Sequence, residues 1–267
     1  MNYALDQATH LTVINDDRYN VTLDQRFWNV RSAFGGWVGA VCAEAVQRHR
    51  EFRFAIVTQQ INFHAAVRSE SLVVSVRLIE RRRTMDFWQI DVSPSDQPER
   101  VDASATIVCG EQEATQIGYE TDMPEHRAVA DCVRLPSGDS TPNWFEHFDI
   151  RLAKGRPFSM NQTANSATYV READGRQLDA KALLAISDTP MPRTFFRANS
   201  MTFAATISLS TYVYASESEL TEVGTGYLLL DTQCKVIRHG FLNQETYLYR
   251  EDGLLLATSY QTGRFRE

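Results

Sequence analysis

The side chains able to carry chemistry are scattered along the chain, and their types decide which reactions stay open. Cys42, Cys109, Cys132 and Cys234 form no C-x-x-C pair and have no histidines at ligand spacing, so neither a metal site nor a disulfide framework is expected. No G-x-S-x-G elbow and no glycine-rich phosphate loop occurs, which disfavours a serine hydrolase and the common nucleotide-binding enzymes. What remains is a carboxylate, hydroxyls, an amide and a glycine pair, groups suited to moving a proton, holding a water and offering backbone N–H donors.

Taken singly, each has a plain structural reading. Asp188 lies in Ser187-Asp188-Thr189-Pro190-Met191-Pro192, where an aspartate before prolines serves as a turn or capping residue. Thr206 alternates with Ser208 and Ser210, a polar strand face opposite Phe203, Ala205, Ile207 and Leu209. Gln261 shares its face with Ala257 and Ser259, which are small and leave space beside it. Gly35-Gly36 suits a slim helix start that allows close packing, and equally a backbone cradle for an anionic oxygen. His64 reads as a structural polar residue, and Phe27, Trp28, Phe34 and Trp37 as packing around the first helix.

The elements that must position these groups follow from hydrophobic periodicity. Residues 35–50 place Val38, Val41, Cys42 and Ala45 on one helical face, with Gly36, Gly39, Ala40 and Ala43 keeping the helix thin. Extended runs follow at 54–63, 71–82, 86–92 and 102–109. Residues 118–143 lose periodicity and carry Pro124, Pro136, Pro142 and the turn cluster Ser137-Gly138-Asp139-Ser140-Thr141, the composition of a linker. A second helix at 178–187 then precedes extended runs at 201–214, 226–236, 242–249 and 254–265, a repeat offset by about 150 residues. Glu251-Asp252-Gly253 marks a hairpin between its last two strands. The expected fold is α+β: a double hotdog, two tandem copies of a curved antiparallel sheet wrapped around a central helix, at 1–117 and 144–267 with the linker at 118–143.

Composition narrows the partners. The 267 residues are 43% apolar with a net charge of −7, and no basic run exceeds Arg81-Arg82-Arg83, so nucleic acid is not expected to bind. The N-terminus has neither a basic start nor an apolar core, and no run of about 18 apolar residues occurs. A soluble cytoplasmic protein without a membrane partner is therefore predicted.

Five features in order resemble the acyl-CoA thioesterase II-like double-hotdog family: Phe34-Gly35-Gly36, Asn62-Phe63, Leu184-Ala185-Ile186-Ser187-Asp188, Ala205-Thr206-Ile207, and Asp252-Gly253-Leu254-Leu255-Leu256-Ala257 leading to Tyr260-Gln261 and Arg264. They span nearly the whole chain. The resemblance implies an acyl-CoA substrate, no metal and no organic cofactor, with Asp188, Thr206 and Gln261 holding the water that attacks the thioester carbonyl. By the same resemblance Gly35 and Gly36 offer N–H groups to the thioester oxygen. The strand after Thr206 lacks the acidic residue and histidines of many relatives, and His64-Ala65 stands where Arg-Pro is usual, departures that bear on substrate class more than on reaction.

The chemistry suits these types. A carboxylate takes the water's proton, a hydroxyl and an amide orient the water, and a helix N-terminus meets the developing oxyanion. Arg81-Arg82-Arg83 is either a solvated hairpin tip or a contact for the 3′-phosphate of coenzyme A. The hydratase type on this fold needs a histidine five residues after its aspartate, and here that residue is Arg193. The alternative to hydrolysis is a catalytically inactive acyl-CoA-binding or pathway-accessory hotdog protein. Two hotdogs in one chain imitate the dimer of single-hotdog proteins, so the minimal site needs no partner subunit, and a homo-oligomer of such chains stays open.

Overall fold

The computed structural model describes residues 3–139 and 141–266; Met1, Asn2, Ser140 and Glu267 lie outside them, Ser140 being one member of the expected turn cluster. A short helix, α1 (Ala4–Ala8), and a hairpin of β1 (Thr12–Asn15) and β2 (Arg18–Thr22) come first, three elements that periodicity had not indicated. Then follow α2 (Gly35–Arg48), β3 (Ala55–Phe63), β4 (Ser71–Arg81), β5 (Met85–Pro94) and β6 (Ala103–Gly110). The second half comprises β7 (Val133–Arg134), β8 (Phe148–Lys154), β9 (Ser166–Glu172), α3 (Ala180–Ile186), β10 (Phe203–Val213), α4 (Glu217–Val223), β11 (Leu228–Gln233), β12 (Ile237–Arg238), β13 (Phe241–Arg250) and β14 (Leu255–Arg266).

All pairings are antiparallel and form one continuous sheet, in the order β1-β2-β4-β5-β6-β3-β10-β14-β13-β11-β9-β8-β7, with β12 beside β13. The two copies join where β3 pairs with β10, Asn62 opposite Ser208 and Thr58 opposite Tyr212. Glycine and alanine let the sheet close around α2: Gly36, Trp37, Val38, Gly39, Ala40, Val41, Cys42, Ala43, Ala45 and Val46 are all buried, so the helix has scarcely a polar side. The expected Asp-Gly hairpin links β13 to β14, with Gly253 at φ +103°, a conformation that favours glycine. This is the double hotdog.

The helices run antiparallel to each other. Near the end of α2, Glu44 accepts a 2.8 Å hydrogen bond from Lys181 Nζ at the start of α3. At the opposite end a Cβ on Gly36 would overlap the carbonyl oxygen of Ala185, so only glycine lets the start of α2 touch the end of α3. Arg81 is engaged at its strand end with Glu51 (3.1 Å) and Asp86 (3.5 Å). Among the described residues no helix is long and apolar enough to cross a membrane.

Candidate active site

Helix α3 is capped at its start by Asp179, whose side chain accepts from the Ala182 N–H. Its end is tied down by two hydroxyls: Ser187 Oγ donates to Leu184 O (2.8 Å) and lies 3.0 Å from Thr211 Oγ1, and Thr189 Oγ1 donates to Ile186 O (2.7 Å). The neighbours of Asp188 therefore satisfy the last carbonyls. The carboxylate itself is left to reach across to α2, where it accepts from the Gly36 N–H. A Cβ on Gly35 would lie 2.6 Å from Asp188 Oδ2 and 3.1 Å from the Phe63 ring, so the glycine pair makes room for this carboxylate.

Gln261, on β14, joins the other two expected residues. Its Nε2 donates to Asp188 Oδ1 at 2.8 Å and to Thr206 Oγ1 at 2.6 Å. Two side chains 55 and 73 residues from the glutamine thus meet it at the positive end of α2. Burial pushes the Asp188 carboxyl up to about 7, against the opposing pull of the Gly36 N–H and the Gln261 amide.

The face expected for Thr206 is wrong, and the reason is a β-bulge. Thr206 pairs with Gly263 and Ser208 with Thr262, so Ile207 is the extra residue and the alternation slips there. Beyond the bulge Leu209, Thr211 and Val213 are the buried phase, while Ile207 is exposed. Thr206 consequently points to the inner side with Leu209 and Thr211, not outward with Ser208 and Ser210. Gly35 and Gly36 open α2 beside the Asp188 carboxylate, whose charged form the Gly36 N–H favours. His64 sits 2.8 Å from Ser104 Oγ.

Sequence reasoning missed two residues that adjoin the cluster. Gln244 lies directly opposite Gln261 across β13 and β14, and its Nε2 donates to Gln261 Oε1 at 2.7 Å. Arg193, fully buried, donates from Nε to Gln244 Oε1 at 2.8 Å. The available signal was Gln244 standing in the buried phase of Leu242, Thr246 and Leu248. Arg193 had served only to exclude a hydratase motif.

Comparison with known proteins agrees with this architecture. In structure the chain is similar to a hot dog fold protein of unknown function from Alicyclobacillus acidocaldarius, at 24% identity and a TM-score of 0.94, covering 100% of this chain and 99% of that one. It is also similar to a thioesterase II candidate from Thermobifida fusca YX (19% identity, TM-score 0.85, 99% and 98% covered). A third is the acyl-CoA thioesterase II TesB2 from Mycobacterium marinum (16% identity, TM-score 0.76, 98% of each chain covered). At such identities these likenesses establish the fold. A search of curated proteins returned no match. The profile of the acyl-CoA thioesterase N-terminal domain matches residues 24–110, and that of the C-terminal domain matches residues 124–265. The chain belongs to the acyl-CoA thioesterase family.

Proposed function

We propose that this chain hydrolyses an acyl-CoA thioester to the free acid and coenzyme A, with Asp188 as general base. The observation that carries this reading is the single amide of Gln261 bonded to both Asp188 (2.8 Å) and Thr206 (2.6 Å) at the start of α2. A carboxyl held at about 7 is half ionised at neutral pH, where a general base is most effective.

The step balances as follows. A water donates one hydrogen to the Asp188 carboxylate and accepts from the Thr206 hydroxyl, whose oxygen is already occupied by the Gln261 N–H. Its remaining lone pair attacks the thioester carbon. The O–C bond forms, Asp188 takes the proton, and the carbonyl oxygen becomes an oxyanion. The first-turn N–H groups of α2 have no intrahelical acceptor and face that charge. As Asp188 becomes neutral, its hold on the Gly36 N–H weakens in favour of the oxyanion. Collapse of the tetrahedral adduct breaks the C–S bond, and the thiolate leaves with the proton from Asp188. In this scheme Gln261 orients the base and the hydroxyl, because both hydrogens of its amide are committed to them.

The test is thiol release from a panel of coenzyme A esters, from short and aromatic to long-chain, with wild type and Asp188→Asn. Turnover by wild type and a loss of about 10²–10⁴-fold in the variant is expected. Calorimetric binding of an ester with no thiol released at any chain length would replace hydrolysis with the acyl-CoA-binding reading.

A further inference from the structure

The hydrogen bonds around Gln261 have a direction, and Arg193 imposes it. A guanidinium has donors only, so the end of Gln244 facing Arg193 Nε at 2.8 Å must be its carbonyl oxygen. The NH2 of Gln244 is thereby turned to Gln261 (2.7 Å), whose near atom must be an acceptor. The NH2 of Gln261 is then left facing Asp188 and Thr206. Neither amide can flip without opposing donor to donor or acceptor to acceptor.

The rest of the Arg193 environment makes this end of the chain rigid. The side chain is completely enclosed, lies 4.7 Å over the Phe196 ring, and donates to Ala164 O (3.1 Å), Ser166 Oγ (2.8 Å) and Met191 O. None of these partners is a carboxylate. Enclosure lowers the guanidinium to about 9, which leaves it charged at neutral pH. The cation therefore stands at one end of a relay whose only carboxylate is Asp188 at the other.

We propose that Arg193 and Gln244 are positioning residues for the hydrolytic site: they lock the Gln261 amide so that its N–H groups, never its oxygen, face the base and the hydroxyl. This rests on the assignment of Asp188 as base. Without the lock Gln261 turns over in part of the molecules, setting its oxygen against the Asp188 carboxylate and removing the donor that favours ionisation.

Gln244→Met and Gln244→Glu test it, since replacing Arg193 itself leaves several buried acceptors unpaired and endangers folding. Met breaks the relay and lets Gln261 choose either orientation. Glu forms an ion pair with Arg193 but presents an oxygen to Gln261, forcing the flip. The expected kcat on the best ester of the panel falls about tenfold for Met and roughly 10–100-fold for Glu, with KM little changed. Thermal stability should run the other way, Glu melting above Met. The carboxyl carbon of Asp188, followed by NMR and assigned through Asp188→Asn, should titrate at higher pH in both variants. In a Gln261→Ala background neither substitution at 244 should add a further loss. Activity that simply follows melting temperature, an unmoved Asp188 titration, or additive losses in that background would overturn the proposal. If Asp188→Asn keeps wild-type turnover, the base assignment has failed instead.

Discussion

Asp188 is held in a costly state, and that cost has two measurable faces. Its carboxyl is raised to about 7 from an ordinary 3.8 by burial. The ionised form is needed to accept a proton, so kcat should rise with pH through about 7, a single ionisation visible in a pH–rate profile and absent from Asp188→Asn. For stability the sign is opposite. A group raised in the folded state contributes stability that is complete below pH 3.8 and lost as pH rises through about 7. Asp188→Asn should therefore melt above wild type at pH 8, by roughly 1–3 kcal/mol for this part-buried group, with the gap narrowing toward pH 4. A variant less stable than wild type at pH 8 would show that the carboxylate stabilises the fold rather than burdening it.

Between elements, the contact between the start of α2 and the end of α3 sets the site. Alanine in a helix ordinarily gains up to about 1 kcal/mol over glycine, but here the added Cβ has nowhere to go. On Gly36 it meets the Ala185 carbonyl and, at 2.6 Å, the Phe34 ring, so Gly36→Ala should lower stability by about 1–3 kcal/mol in denaturant melts. On Gly35 the obstruction is Asp188 Oδ2, a movable atom. Gly35→Ala should keep most of its stability while losing at least about tenfold in kcat. Much of this element scale was legible in the sequence: the thin helix, the four strands after it and the Asp-Gly hairpin all carry strong local patterns. The missed strands explain themselves. β8 alternates Phe148, Ile150 and Leu152 with Asp149 and Arg151, a strand pattern too short to stand out directly after the proline-rich 118–143 stretch, whereas in β9 nearly every residue is buried and apolar character does not alternate. That Asp188, Thr206 and Gln261 belong together was legible only through family resemblance, whereas the bulge that turns Thr206 inward leaves no mark in residue types. The Arg193 to Gln244 bond was invisible for another reason: it joins a turn to a strand 51 residues on, and only the folded sheet brings them together.

For the whole molecule, the helix pair has two unlike ends. Where α2 begins lies the Asp188 cluster; where α3 begins, Lys181 binds Glu44 at 2.8 Å and Asp6 at 3.0 Å, and Arg176 reaches Asp6 at 2.9 Å. Glu172 is buried beside that ionic group, with Oε1 unpartnered among the described residues and its carboxyl pushed up by burial to about 8. Its contribution to stability is complete below the ordinary value of 4.5 and lost as pH rises through about 8. Glu172→Gln should thus raise the melting temperature at pH 9, leave it nearly unchanged at pH 4.5, and spare kcat at both. A drop in melting temperature at pH 9 would mean that the Arg176 charge, 3.9 Å away, outweighs the burial.

The unlikeness of the two helix ends reaches into stoichiometry. A pair of identical subunits would present each arrangement twice, so no residue could be specialised on one side alone. Here one polypeptide gathers Asp188, Thr206 and Gln261 at one crossing and fastens the other with opposite charges. Titration with a non-hydrolysable thioester analogue should accordingly saturate at one equivalent per chain, whatever number of chains assemble.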